Sequence, residues 1–183
     1  MHVIKTATFT SFPEELLKEV KTKYGLRRAD RFTVLAVAAV KMAFPEQFPT
    51  FLPPETGLIT ASSFGPHKTV FANLDDILDY PEDQILPTKF SHSVHNAVTS
   101  YLGTILKITG PAFAVTNFEN PIDEANNLAE TLLAAGLCKT LLMVLVEEEG
   151  LLTQNAAALW QRRFQKPPQE AVSVLLMETA PKS

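Results

Sequence analysis

Runs of apolar residues predict five β-strands along the chain. The run from Lys139 to Val146 is apolar on both faces, which indicates a strand inside a sheet rather than at its edge. Near the N-terminus, β-branched residues and phenylalanine are concentrated in residues 2–10 and predict another strand. The predicted strands cover residues 2–10, 57–62, 112–117, 139–146 and 170–178.

Between these strands, apolar residues recur at the three- and four-residue spacing of amphipathic helices. The clearest helix follows Asp30, a residue type that often caps helix N-termini. Asn120 is expected to cap a later helix in which Pro121 takes the first position, and Gly136 is expected to end it. The predicted helices cover residues 13–25, 31–44, 67–79, 94–108 and 121–135, and the proline-interrupted residues 80–90 are expected to be extended.

This alternation of strands and helices predicts a layered α/β fold. The 183 residues are enough to bury a substantial core, and no internal repeat marks a second domain. We therefore expect residues 1–183 to form one domain with a short tail at 179–183. A polar connection that contains Trp160, Arg162 and Arg163 is expected before the last strand.

Charge and cysteine content exclude several classes of function. Lysine and arginine total 16 against 20 aspartates and glutamates, so the net charge of −4 leaves no surplus for nucleic-acid phosphates. The single cysteine, Cys138, allows no internal disulfide and no cysteine-rich metal site, as is typical of a reducing compartment. No apolar run reaches the length of a signal peptide or a membrane span. We expect a cytoplasmic protein that binds neither nucleic acid nor membrane.

Several segments, taken in order, resemble the N-terminal half of β-ketoacyl synthases. Residues 93–97 read Ser-Val-His-Asn-Ala, a Gly110-Pro111 pair precedes a strand and a turn into a helix, and residues 132–136 read Leu-Leu-Ala-Ala-Gly before the apolar strand. More narrowly, the chain resembles a short, chain-length-factor-like branch of that family. The resemblance implies half of a thiolase fold, which is a five-stranded mixed sheet flanked by helices.

The resemblance also implies where a nucleophile would lie. In active synthases the catalytic cysteine lies between the third strand and the following helix, and alignment on Gly110-Pro111 puts Glu119 at that position. A carboxylate does not replace a thiolate as the acceptor of an acyl chain. The family's two catalytic histidines come from a C-terminal half that this chain does not include, so we expect no independent condensing activity. Glu119 is alternatively a plain acid favoured by the helix N-terminus.

Five further residues are candidates for a pocket around that position. His92 and His95 lie three residues apart, but no cysteine or carboxylate accompanies them at ligand spacing, so we expect no metal and no cofactor. Asn96 is expected to be a buried amide because asparagine is a poor helix former. The candidate pocket residues are His92, His95, Asn96, Phe118 and Asn120.

Other potential nucleophiles are given structural roles. Ser62, Ser63 and Ser93 lack the Gly-x-Ser-x-Gly motif and are expected in turns and caps. Cys138 has no base near it in the sequence and is expected to be a buried apolar residue.

The leading hypothesis is a non-catalytic, chain-length-factor-like partner of a full-length β-ketoacyl synthase in fatty-acid or polyketide/polyene-type biosynthesis. The alternatives are a homo-oligomeric interaction protein and a small acyl-thioester decarboxylase or hydrolase that uses Glu119 and a histidine. An acyl carrier protein is a further candidate partner, since basic residues that suit an acidic carrier are Lys18, Lys21, Lys23, Arg27 and Arg28. A solvated helix face explains these charges equally well.

An association surface is expected along the third strand, because thiolase-like proteins pair this strand across a dimer. The strand is apolar, and unpaired apolar edges are normally covered. Its residues are Ala112, Phe113, Ala114, Val115 and Thr116. A half-fold is also expected to expose an extensive apolar surface, which a synthase or a second copy would cover.

Overall fold

All five predicted strands are present, within one residue at each end. The computed structural model describes residues 1–85, 87–154 and 170–179. The strands are β1 (His2–Phe9), β2 (Gly57–Ser62), β3 (Ala112–Thr116), β4 (Thr140–Glu147) and β5 (Ala171–Glu178). The helices are α1 (Glu14–Lys23), α2 (Arg31–Ala43), α3 (His67–Asp79), α4 (Pro87–His92), α5 (Ala97–Leu106) and α6 (Pro121–Ala134).

The strands form one mixed sheet in the order β1-β5-β4-β2-β3. β2 runs parallel to both β3 and β4, whereas β5 runs antiparallel to β4 and β1. β4 therefore lies inside the sheet, as its doubly apolar sequence predicts, and Leu141 to Val144 are fully buried. The predicted α/β class with a five-stranded mixed sheet is confirmed.

Helices cover the sheet on both faces. α2 and α5 pack against one face and against each other, and α6 packs on the opposite face over β2, β3 and β4. Ten of the 13 residues of α2 are buried, because its many alanine and valine side chains let the helix lie close to the sheet. Its N-terminus is capped as predicted, with the Asp30 carboxylate accepting the Thr33 backbone N–H at 2.9 Å.

The prediction for residues 80–90 is wrong. The segment contains a 3₁₀ turn at Glu82–Gln84 and the start of α4 at Pro87. Proline breaks the middle of a helix but suits its first position, because its fixed φ is helical and its missing N–H is not needed there. Pro81 and Pro87 begin helical turns here rather than preventing them.

Two helix ends also differ from prediction. α5 ends at Leu106 because Lys107 takes a left-handed conformation, so Gly110-Pro111 lies beyond the helix. Asn120 precedes α6 but makes no side-chain cap; the carboxamide oxygen of Asn117 accepts the N–H groups of Glu119 and Asn120 instead, both at 2.9 Å. The predicted connection with Trp160, Arg162 and Arg163 and the tail after 179 lie outside the described residues.

Gly136 ends α6 as predicted, with φ of 68°, and the Leu137 N–H bonds the Leu132 carbonyl across the end of the helix. An added Cβ at Gly136 would meet nothing within 4 Å, so a substitution there tests backbone conformation alone. We expect Gly136→Ala to lower the free energy of unfolding by about 1 kcal/mol, measured by urea denaturation.

The converse change is expected at Lys107, whose φ is 55°. Lys107→Gly removes the Cβ that disfavours this conformation and should raise the free energy of unfolding by up to about 1 kcal/mol. Lys107→Ala keeps the Cβ and is the matched control, with little change expected. Equal effects of alanine and glycine at this position would contradict the explanation.

Candidate functional site

The carboxyl ends of β2 and β3 border a crevice set by the topology. The connection from β2 to β3 passes over the sheet face that carries α5, and the connection from β3 to β4 passes over the opposite face, through α6. Two neighbouring parallel strands whose connections leave toward opposite faces open a crevice at their carboxyl ends. This position is where open α/β sheets usually hold their functional groups.

Two phenylalanines join the loops on either side of this crevice. Phe64, in the turn after β2, meets Phe118, in the turn after β3, edge to face with ring centroids 5.2 Å apart. Glu119 is next along the chain, exposed between β3 and α6. Its backbone N–H is held by Asn117, so the Asn117 side chain fixes the geometry of this turn.

His95 reaches the same crevice from the segment before α5. Its ring packs on Gly65 so closely that a Cβ there would lie 2.2 Å from the imidazole Cδ2. Burial lowers the pKa of His95, so the ring is neutral at pH 7. The cavity beside it has a volume of about 10 Å³ between the ends of β2 and β3, room for one water molecule at most.

The other predicted pocket residues lie on three different segments: His92 in α4, Asn96 before α5 and Asn120 before α6. His92 stacks on Tyr101 of α5, with ring centroids 5.8 Å apart. Asn96 is exposed, so its prediction as a buried amide is wrong: it precedes α5, and its backbone carbonyl receives the Ser100 N–H and hydroxyl. Asn120 is exposed at the start of α6.

Sequence reasoning missed the two acids at the carboxyl end of β4, Glu147 and Glu148. The Glu147 carboxylate accepts the Ser63 backbone N–H and, at 3.2 Å, the Ser62 hydroxyl. Ser62, the last residue of β2, in turn accepts the Gly65 N–H through Oγ at 2.7 Å, and Ser63 lies in the turn as expected. Burial raises the pKa of Glu147. A glutamate at the end of a central strand therefore shapes the turn that carries Phe64.

Glu148 is fully buried next to this turn. It accepts the Lys68 backbone N–H at 3.1 Å near the N-terminus of α3, and His67 Nδ1 lies 3.9 Å from its carboxylate. Burial raises the pKa of Glu148 to about 7, and the nearby charge of Asp30 adds to the increase. Burial lowers the pKa of His67, so this contact is not an ion pair at neutral pH. In the sequence, the three consecutive glutamates at 147–149, directly after the apolar residues of β4, were the signal that could have pointed to Glu147 and Glu148.

Cys138 lies at the other end of the sheet, next to Gly57 at the start of β2. Its side chain is buried, and burial raises the pKa of the thiol. The single thiol of the chain is therefore far from Glu119 and is not a nucleophile for that crevice. Within the described residues, no group of three or more His, Cys, Asp or Glu side chains is arranged to hold a metal ion.

The family model for the β-ketoacyl synthase N-terminal domain matches residues 25–178. This chain belongs to that family. The matched range includes both sides of the crevice and every strand except β1. Among curated proteins, none matches the sequence.

Solved structures agree with this fold. The chain is similar to one in the complex of the ketosynthase ApeO with its chain length factor ApeC from Xenorhabdus doucetiae, with a TM-score of 0.67 and 18% identity over 97% of this chain. It is also similar to the ishigamide ketosynthase/chain length factor, with a TM-score of 0.71 and 18% identity over 90% of this chain. A third match is a complex of a type II polyketide synthase acyl carrier protein with its hexaketide-bound ketosynthase (AntDE:AntF), with a TM-score of 0.67 and 16% identity over 97% of this chain.

The chain covers 78%, 48% and 62% of the lengths of those three matched chains, in the same order. It thus spans part of each. None of the described helices combines the length and apolar character needed to cross a membrane.

Among the described strands, β3 is an edge strand of the sheet. Phe113 is 42% exposed on it. A groove of about 520 Å³ runs between β3 and α5, where Ala112 and Ala114 line one side and Thr99, Ser100 and Gly103 of α5 line the other. Small side chains on both elements keep this groove open.

Glu148→Gln is expected to stabilise the protein at alkaline pH. A carboxyl group whose pKa rises from 4.5 to about 7 on folding favours the folded state when protonated, so this stability is lost as pH rises from 4.5 through 7. Glutamine keeps an acceptor for the Lys68 N–H but does not ionise. We expect a gain of about 1–3 kcal/mol in unfolding free energy at pH 8 and almost none at pH 4.5, measured by urea denaturation.

Glu149→Gln is the matched control for this measurement, because Glu149 is exposed one residue further along the chain. The control is expected to change the unfolding free energy by less than about 0.5 kcal/mol at both pH values. An effect of Glu148→Gln that is the same at pH 4.5 and pH 8 would contradict a buried, proton-binding carboxylate.

Proposed function

We propose that this chain is a non-catalytic, chain-length-factor-like partner of a full-length β-ketoacyl synthase in fatty-acid or polyketide/polyene-type biosynthesis. The observation that carries the proposal is Glu119: a family member has a carboxylate in the turn where the resemblance puts the synthase nucleophile. The matched structures of ketosynthases with chain length factors support a partner role.

Chemistry argues against condensation by this chain alone. Acyl transfer from a thioester needs a strong nucleophile with a base in reach, and thiolates serve because they form a stable thioester intermediate. Glu119 offers a weakly nucleophilic carboxylate in an exposed turn. Cys138 is buried at the other end of the sheet with its pKa raised, so it does not replace the missing thiol.

The partner would associate through β3. An edge strand presents a row of backbone N–H and C=O groups, and a second strand laid against it satisfies them. The groove between β3 and α5 gives that strand's side chains room beside Ala112 and Ala114. Phe113 supplies apolar area to the same contact.

An acyl carrier protein is a further proposed partner. Lys18, Lys23, Arg27 and Arg28 are exposed on α1 and the segment after it, where they would meet an acidic carrier. The matched complex that contains an acyl carrier protein and its ketosynthase supports this part of the proposal.

Association through β3 predicts the behaviour of Phe113→Asp. The unmodified protein is expected to sediment as an associated species, alone or when co-expressed with each full-length β-ketoacyl synthase from its own genome. The aspartate puts a charge into the apolar contact and should release monomer or give insoluble protein. Leu137→Asp, at an exposed leucine after α6, is the control and should leave association unchanged.

Sedimentation also separates the alternatives. A heteromer with a synthase supports the proposed function, whereas a self-associated species that ignores every synthase supports the homo-oligomeric alternative. A stable monomer at micromolar concentration, with no synthase bound, would contradict both.

The proposed equivalence of Glu119 to a nucleophile position predicts an activated thiol in Glu119→Cys. Position 119 precedes the N-terminus of the 14-residue helix α6, whose dipole favours negative charge. In a Cys138→Ala background, we expect the new thiol to react with iodoacetamide at pH 7 about 2–5-fold faster than a thiol at Glu130, exposed later in α6. Equal rates would mean that this turn does not activate a nucleophile.

A further inference from the structure

α3 is an amphipathic helix that points part of its apolar surface toward solvent. Leu74, Ile77 and Leu78 follow the three- and four-residue spacing of one helix face, yet they are 48%, 51% and 82% exposed. The buried residue just before them on the helix is polar: Asn73 is 6% exposed, and its carboxamide oxygen has no hydrogen-bond partner among the described residues. Burial of a polar side chain and exposure of three large apolar ones on one helix mark an interaction surface.

α4 extends this surface. It packs beside α3, and an ion pair between Lys89 and Asp76 ties the two helices together. Phe90, next to that lysine, is 64% exposed. We refer to Leu74, Ile77, Leu78 and Phe90 as the α3/α4 patch.

The charges around the patch restrict what it binds. Asp75 and Asp79 on α3 and Glu82 and Asp83 after it are all exposed, whereas Lys89 on α4 is paired with Asp76. A second copy meeting the patch face to face would bring like charges together, which costs free energy. An acidic carrier protein or an anionic membrane would be repelled in the same way. The rim is complementary to lysine and arginine.

We infer that the α3/α4 patch docks a partner protein whose contact surface has an apolar centre and a lysine- or arginine-rich rim. Leu78 supplies the central anchor because it is the most exposed of the four side chains. The acidic rim speeds encounter with the basic partner and rejects acidic ones. This surface is separate from β3, and the inference does not depend on the proposed synthase partnership.

A pair of synthetic peptides tests the inference on the full chain. Both are amphipathic helices with the same leucine face; one carries lysine and arginine on its polar face, and the other carries glutamate. Fluorescence anisotropy is expected to detect binding of the basic peptide only. The affinity for this peptide should decrease as the salt concentration increases. Leu78→Asp should reduce the affinity at least 10-fold, whereas Leu137→Asp, at a leucine that is 62% exposed elsewhere, should leave it unchanged.

A charge reversal tests the rim. The double variant Asp75→Lys, Asp79→Lys is expected to shift preference from the basic peptide to the acidic one. The side chains of Asp75, Leu78 and Asp79 are all exposed, so the variants should fold, and circular dichroism checks this. Leu78→Gln serves as a second, uncharged variant of the anchor.

Four results in the peptide and sedimentation measurements would overturn the inference, and one result with vesicles would do the same. They are equal binding of both peptides, no binding of either, unchanged affinity in Leu78→Asp and Leu78→Gln, and a self-associated species that Leu78→Asp converts to monomer. Binding to phosphatidylcholine vesicles that Leu78→Asp abolishes would assign the patch to a membrane and would also overturn it.

Discussion

The burial of β4 on both faces is the constraint on which the rest of the structure depends. This strand joins the parallel part of the sheet, β2 and β3, to the antiparallel part, β5 and β1. Its alternate side chains enter the two separate cores, Leu142 and Val144 toward α2 and Leu141 and Met143 toward α6. Because β4 is central, its last residue, Glu147, and the next residue, Glu148, have carboxylates that are largely removed from water at the carboxyl end of the sheet.

The two glutamates at the carboxyl end of β4 show what this position does. Glu147 is held by the turn after β2, and Glu148 meets the first turn of α3. Both carboxylates are largely removed from water, and both have raised pKa values. They satisfy backbone N–H groups that would otherwise be buried without partners. The positions of Phe64 and His95 at the crevice therefore depend on acids that belong to a different strand.

Local patterns predicted the strands, α2 and the end of α6 because each signal is a property of a short window: alternation, an Asp N-cap, a glycine with positive φ. Features that depend on the tertiary structure were not predictable in this way. Pro87 suits the first position of a helix, but that α4 forms there at all depends on a neighbour, α3, which the local pattern does not show. The turn before α6 likewise folds back so that the side chain of Asn117, rather than that of Asn120, accepts the N–H groups. Glu148 was missed because its burial follows from the place of β4 in the sheet.

The pairing of β1 has a consequence for how the protein is made. Among the described strands β1 has one neighbour, β5, with a register that runs from His2 opposite Glu178 to Phe9 opposite Val172. β1 thus pairs with a strand that lies far later in the chain, and contacts between such distant parts of a chain form slowly. Until then Val3 and Ile4 remain on an unpaired strand, the kind of species that aggregates during synthesis. Folding yield, more than equilibrium stability, is the property that this topology puts at risk.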